Sequence, residues 1–311
     1  MKEKIFITGA SGCVGHYLID EFLATGQYEL HLLIRETVKL KFDYRKMPDV
    51  NLYIGNLENI ENYRAIIEDM NHIIHIATDW SDSDYAIYLN VEKTEEMLNY
   101  SDPQKCKRII YFSTASILGK GNQPVEAAGK YGAGYVKSKY LAYEKLKNSP
   151  LSDRLITLFP TMVFGGDKTH PYSHISSGIL PNLGFAKFLR FFYADASFHF
   201  IHCRDIAQIT KHLISTPTHA KEYVLGNAPL TLKEAIKTLC KTFNVPVYVQ
   251  FKIRAGLVFF LAKVFKITIG PWEKYCIENP DMTYDVVNPS SFGIKTAYPT
   301  LTHVLADIKP S

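Results

Sequence analysis

The sequence has little cysteine, no long hydrophobic run and no marked excess of either charge. Its five cysteines, Cys13, Cys106, Cys203, Cys240 and Cys276, are odd in number, widely spaced and form no C-x-x-C. That pattern excludes a small disulfide scaffold and reads as free thiols in a reducing compartment. The longest apolar stretch, Ala255 to Ala262, falls far short of a membrane span and is followed by Lys263 and Lys266. The opening MKEKIFITGASG carries no apolar leader or cleavage signal and runs straight into a strand pattern. A cytoplasmic protein with no membrane attachment is the expectation. Lys plus Arg number 35 against 31 for Asp plus Glu, a net charge of +4, too small and dispersed to predict nucleic-acid binding but no obstacle to an anionic ligand. At 311 residues, 47% hydrophobic and 21% charged, the chain is neither disordered nor collagenous. It is long enough for one large α/β unit or two lobes.

Short apolar runs alternate with amphipathic stretches over the first 160 residues. Strands are predicted at Lys4–Thr8, Leu30–Ile34, Leu52–Ile54, Ile73–Ile76, Arg108–Phe112 and Leu155–Phe159. Helices are predicted at Val14–Ala24, Ile60–Glu68, Tyr85–Tyr100 and Tyr135–Leu146. This alternation predicts an α/β fold, a Rossmann-type doubly wound parallel sheet, with ligands at the carboxyl ends of the strands. After Pro160 the rhythm breaks. Residues 165–200 read as loops and short helices, rich in Gly, Pro, Ser, His and aromatics. Helical patterns return at Asp205–Ser215, Leu232–Phe243 and Ala255–Phe265, with strand patterns at Glu222–Leu225 and Val245–Phe251. The division that follows is a dinucleotide-sized domain over 1–160, with 200–215 packing back on it, and a smaller substrate lobe from 161–199 and 216–311.

Thr8 to Gly15, TGASGCVG, joins the first strand to the first helix with G-x-x-G-x-x-G spacing. Glycines there suit a tight turn, close backbone approach to a pyrophosphate and helix–sheet packing, while the helix N-terminus offers unpaired N–H groups to the anion. The second strand ends Leu33-Ile34-Arg35-Glu36. A carboxylate at this strand end holds a ribose 2′-hydroxyl, whereas an arginine pairs with a 2′-phosphate. Arg35 therefore favours NADP over NAD; the alternative is a solvated Arg35 with Glu36 on the ribose.

Tyr135-Val136-Lys137-Ser138-Lys139 is a Y-x-x-x-K on a helical pattern, which places Tyr135 and Lys139 on one face. A phenol is a poor base at neutral pH, and a neighbouring ammonium favours its ionised form. Tyr143/Lys147 and Tyr248/Lys252 have the same spacing, as expected by chance among 20 tyrosines. Position separates the first pair. Ser113-Thr114-Ala115-Ser116 follows the fifth strand, where a hydroxyl can hold a substrate oxygen while Tyr135 exchanges its proton; the alternative for Thr114 is an ordinary turn threonine.

With these residues in view, the chain resembles the extended short-chain dehydrogenase/reductase superfamily, the NAD-dependent epimerase/dehydratase family, along nearly its whole length. The resemblance rests on TGASGCVG, Gly55-Asn56-Leu57, His75-Ile76-Ala77-Thr78, Asn90 with Thr94, YFSTASILG at 111–119, YVKSK, FPTMVFGG at 159–166 and FIHCRDIA at 200–207, in that order. It implies that Gly9, Ser11, Gly12, Cys13 and Val14 line the pyrophosphate and that Asn56 and Leu57 flank the adenine. Ala77 and Thr78 would back the ribose and phosphate, with Pro160 to Val163 at the nicotinamide end. Thr114 matches the catalytic Ser/Thr, Tyr135 the acid/base, and Lys139 the residue that lowers its pKa and holds the nicotinamide ribose. Asp205 matches a structural helix-starting Asp. The resemblance also implies a homodimer through the Tyr85–Tyr100 and Tyr135–Leu146 helices.

Phe159 stands where nucleotide-sugar enzymes of the superfamily usually carry Arg, and Ala115 where dehydratases place an acid. Arg35 and PTMVFG look more like the dihydroflavonol-reductase-like branch. Phe185, Phe188, Phe191, Phe192, Tyr193, Phe198 and Phe200, with the Ala255–Phe265 run, offer apolar substrate surface or, alternatively, core packing. The Leu257, Phe260, Leu261, Val264 face is expected to be buried or to form a lid rather than to attach to a membrane, because Lys263 and Lys266 alone are too few for a basic membrane-binding face. His72/His75 and His199/His202 lie in strand patterns, where residues three apart face opposite sides, so no metal site is expected. Three functions follow: an NADP(H)-dependent oxidoreductase acting on a carbonyl or alcohol of a small, fairly apolar molecule; an NAD-dependent nucleotide-sugar epimerase; or a non-catalytic dinucleotide-binding redox sensor.

Overall fold

The structure, a computed structural model, describes residues 2–309, apart from the side chains of Phe185, Ala186, Leu189 and Leu261. Seven strands form one parallel sheet: β1 (Glu3–Thr8), β2 (Tyr28–Ile34), β3 (Val50–Ile54), β4 (His72–His75), β5 (Arg108–Phe112), β6 (Leu155–Pro160) and β7 (Glu222–Leu225). Their order is β7-β6-β5-β4-β1-β2-β3, so the winding direction reverses between β1 and β4. The central strands read as near-continuous apolar runs because both faces are covered. Successive residues serve opposite cores. Ile5 and Ile7 pack with Leu18 and Phe22 of helix α1 (Cys13–Leu23) and with Ile206 and Ile209 of a later helix. Phe6 packs with Ile73, Ile109, Leu98 and Leu146 on the other side.

That second side is covered by α2, residues 84–99, and α3 (Gly134–Lys147). In α2 the stretches Asp84–Ile87 and Thr94–Asn99 flank a π-helical turn at Tyr88–Lys93, which carries Asn90. The first side is completed by α4 (Cys203–Ser215), which packs along α1. Asp205 in the first turn of α4 accepts hydrogen bonds from the backbone N–H groups of Ala297 (2.8 Å) and Tyr298 (3.3 Å), so it ties down the C-terminal segment.

Beyond the sheet, Phe164 and Phe200 share a core with α5 (Leu232–Thr242) and a C-terminal helix, Leu301–Ile308. Several expectations need correction. Strand β7 belongs to the main sheet beside β6, so the substrate lobe does not run unbroken from 216: Val224 and Leu225 bury themselves on the sheet edge. The 165–200 stretch contains short strands at Phe192–Tyr193, Ser197–Phe198 and Phe200–His202 as well as helices. The 60–68 helix is a 3-10 segment, Leu57–Tyr63, followed by the single α-turn Arg64–Ile67, because Asn56 caps Asn59 N–H and leaves Asn59 non-helical. The 245–251 strand shrinks to Phe251–Lys252, paired with Phe192–Tyr193; Pro246 has no N–H to donate, and Tyr248 and Val249 find no second layer to cover them. The helix α6 (Ala255–Val264) forms, but Leu257, Phe260 and Val264 are exposed rather than buried, and Leu261 lies outside the described side chains. Among the described residues, no helix is long and apolar enough to cross a membrane.

Candidate active site

The carboxyl ends of β1, β2, β4, β5 and β6 open onto one cavity of about 680 Å³. Its floor is the β1–α1 turn. Gly9 has φ +74, and a Cβ there would stand 2.8 Å from the Ala77 backbone nitrogen, so only glycine lets the two strand ends approach. Gly12 N–H closes the turn onto Gly9 O at 3.0 Å. Gly12 then begins α1 with no side-chain cap and no acid in the first turn, which leaves the first N–H groups free for an anion. Beneath the turn, His75 bridges Thr8 Oγ1 (2.7 Å) and Thr94 Oγ1 (2.9 Å), and burial pushes its pKa down to about 3. A neutral imidazole thus pins β1, β4 and α2 together. A glycine at 9 is required by this close approach, and the uncapped helix N-terminus beside it is a donor set that suits a dinucleotide pyrophosphate.

Around this floor, Ser11, Gly12, Cys13 and Val14 line one end of the cavity. Arg35, Asn56 and Leu57 line the β2–β3 side. Arg35 is exposed, whereas Glu36 does not border the cavity and pairs with Lys39 at 4.0 Å. Ala77 and Thr78 lie above the switch point, and Pro160 and Val163 close the far side. The residues that the resemblance assigns to the dinucleotide, together with Arg35, therefore all border one cavity. Cys13 Sγ lies 3.2 Å from Cys203 Sγ, both at the first turns of their helices, and all five cysteines are free.

Thr114, Tyr135 and Lys139 face the same space. Thr114 caps the turn at Ala115–Ile117, accepting from Ser116 N–H at 3.3 Å, so the turn reading and the site reading coexist in one hydroxyl. Burial pushes Tyr135 up to about 12, opposed by its hydrogen bond with Thr114. Lys139 is buried beneath, donates to Phe112 O at 2.7 Å, and burial pushes it down to about 7. Without a cofactor, burial dominates both groups and moves them away from the ion-pair arrangement that the spacing suggests. Of the other Y-x-x-x-K pairs, Lys147 Nζ does reach Tyr143 Oη (3.0 Å), but that phenol donates to Glu222 away from the cavity.

The sequence model of the NAD dependent epimerase/dehydratase family matches residues 5–226. The chain belongs to this family. It is an extended short-chain dehydrogenase/reductase and a nicotinamide-dinucleotide-dependent enzyme. No curated protein matches it. Among solved structures, it is similar to gox2253 at 20% identity and TM-score 0.73, over 98% of this chain and 97% of that one. It is also similar to the Bordetella bronchiseptica enzyme WbmG in complex with NAD and UDP, at 18% identity and TM-score 0.68, over 99% and 93% of the two chains. The terminal R domain from the myxalamid PKS-NRPS pathway matches at 15% identity and TM-score 0.72, over 99% and 89%.

In this epimerase/dehydratase-family chain, one prominent site residue escaped the sequence reading. Trp80 stacks on Tyr135 with ring centroids 3.9 Å apart, and on its other neighbour, His174, at 5.9 Å. Asn90 holds the approach to Trp80, accepting from Asp79 N–H and donating to Asp79 O, each at 2.8 Å, and donating to Ser138 Oγ at 2.9 Å. Asn90 was legible as a motif residue; Trp80, two residues past Thr78, belonged to no motif. The far end of the cavity is lined by Met162, Ile175, Phe198, Met282 and Tyr284. Of the aromatics expected there, Phe198 alone among those described borders the cavity; Phe200 is core, and Phe185 lies outside the described side chains.

Proposed function

We propose that the enzyme is an NADP(H)-dependent oxidoreductase acting on the carbonyl or alcohol of a small, fairly apolar substrate. One observation carries the substrate class. Among the described residues lining the cavity, the cations are Arg35 at the β2 end and the buried Lys139, so the far end offers Met162, Ile175, Phe198 and Met282 and no Lys or Arg for a sugar diphosphate. Arg35, which borders the cavity and has no ion pair among the described residues, supports NADP(H), whereas Glu36 does not border it. When bound, the nicotinamide supplies or accepts the hydride. Tyr135 gives its proton to the substrate oxygen in reduction and takes it back in oxidation. Thr114 orients that oxygen. Lys139, released from its burial cost when a negative phenolate develops beside it, stabilises ionised Tyr135. Trp80 fixes the plane of the phenol ring by stacking. The free cysteines support a reducing, cytoplasmic setting.

The test is turnover and binding of Tyr135→Phe. Loss of turnover by about 100-fold or more, with NADP+ still raising the melting temperature, supports the assignment; normal turnover refutes it. A nucleotide-sugar epimerase is the second reading, favoured by the matched family, and tightly retained NAD in the purified protein would select it.

A further inference from the structure

We propose that the outer face of α6 and the chain on either side of it form a membrane-binding surface that docks on a bilayer carrying anionic headgroups. The inference goes beyond the oxidoreductase reading and does not depend on it. Phe251, Leu257, Phe260, Val264, Phe265 and Ile267 are 45–69% exposed. Within α6, Ala255, Val258, Phe259 and Ala262 form the inward row at helical spacing, with Ala262 buried. Leu257, Phe260 and Val264 form the outward row. A helix with apolar residues on both rows needs cover on both, and among the described residues the outward row is left about half or more exposed.

Nor is the exposed row a wall of the active site, because none of the described residues from 241 to 267 lines the cavity. Charge identifies the occupant. Residues 241–272 contain Lys241, Lys252, Arg254, Lys263 and Lys266 and no Asp or Glu. Lys252 pairs with Asp195, and the other four have no ion pair among the described residues. A second copy docking by two-fold symmetry would set this acid-free basic segment against itself. Anionic headgroups complement it, and the acyl boundary accepts the aromatic and aliphatic side chains between the cations. The ten residues of α6 span roughly 15 Å, half the hydrocarbon thickness of a bilayer, so the helix lies in the interface and does not cross it.

Flotation of the purified full chain with phosphatidylcholine vesicles, with and without phosphatidylglycerol, tests this. The expected result is flotation with the phosphatidylglycerol vesicles, weakened by salt and reduced roughly fivefold for each cation removed in Arg254→Gln and Lys263→Gln. A Leu257→Gln, Phe260→Gln, Val264→Gln variant should stay at the bottom of the gradient at unchanged melting temperature, because those side chains face outward. Failure of the wild type to float overturns the proposal. So does binding that is indifferent to phosphatidylglycerol, or a triple variant that changes only the sedimentation mass, which would assign the face to a second copy. An NADP+-induced rise in melting temperature is read on the same samples, so failure here is separable from failure of the oxidoreductase reading.

Discussion

Replacing Lys139 by methionine should abolish activity and yet stabilise the free protein near pH 7. The amine is 2% exposed, lies 5.0 Å from the centre of the Tyr111 ring, and donates to Phe112 O. Burial lowers its pKa from 10.5 to about 7. The unfolded chain therefore holds more protons than the folded one between those values, and stability rises with pH across that window. The contribution is complete above the unfolded value and is lost as the pH falls through about 7. The full shift is worth about 5 kcal/mol. Roughly 4 kcal/mol of that cost is present at pH 7 and under about 3 at pH 8.5. Methionine removes the cost but leaves the Phe112 carbonyl without its donor, a loss of about 1–3 kcal/mol. The variant should thus gain about 1–3 kcal/mol at pH 7, or roughly 2–5 °C in Tm, with the gap narrowing towards pH 8.5. Thermal unfolding without dinucleotide, across that pH range, reads this directly. A variant less stable than wild type at pH 7, or a gap that stays constant with pH, would refute the argument that the amine is desolvated.

The dinucleotide end of the cavity yields three more expectations. Arg35→Ala should weaken NADP+ binding by roughly 10–100-fold, the worth of a charged hydrogen bond, and leave NAD+ binding unchanged; calorimetric titration of both nucleotides decides it, and equal losses would place Arg35 off the 2′-position. Gly9→Ala, with φ +74 and its Cβ 2.8 Å from Ala77 N, should destabilise the protein by about 1–3 kcal/mol in denaturant unfolding and weaken both dinucleotides. Cys13 is partly exposed on the cavity, whereas Cys106, Cys203 and Cys240 are buried. Iodoacetamide should therefore modify Cys13 ahead of those three, and excess dinucleotide should slow that reaction; mass mapping that shows no protection would argue against the loop as the pyrophosphate site.

The order of elements and the floor of the site are properties of the local sequence. Short apolar runs such as IFIT, IIH and RIIYF, alternating with helical patterns, read as strands buried on two faces; Gly9 takes a left-handed φ, and a Cβ at Gly15 would collide with the Gly9 and Ala10 backbone. Hence the doubly wound sheet and the meeting of Gly9, Arg35, Ala77, Thr114 and Tyr135 at its carboxyl edge were legible in the chain. Packing decided the rest. Three Tyr–Lys pairs share one spacing, but Tyr248 and Lys252 are not on a helix, and the other two differ in the helix face that the sheet edge receives: Tyr135 meets Thr114, while Tyr143 meets Glu222. Spacing suggested a lysine that acidifies Tyr135, but burial, which depends on how deep the helix sits, moves both groups the opposite way in the free protein. Trp80 reaches Tyr135 only because Asn90, across a π-turn, clamps the segment before it. On α6 the apolar pattern specified a helix that needs cover, but a one-dimensional pattern carries no record of whether a neighbour exists to supply it. The tertiary structure shows that the outward row of this helix, Leu257, Phe260 and Val264, stays about half or more exposed among the described residues.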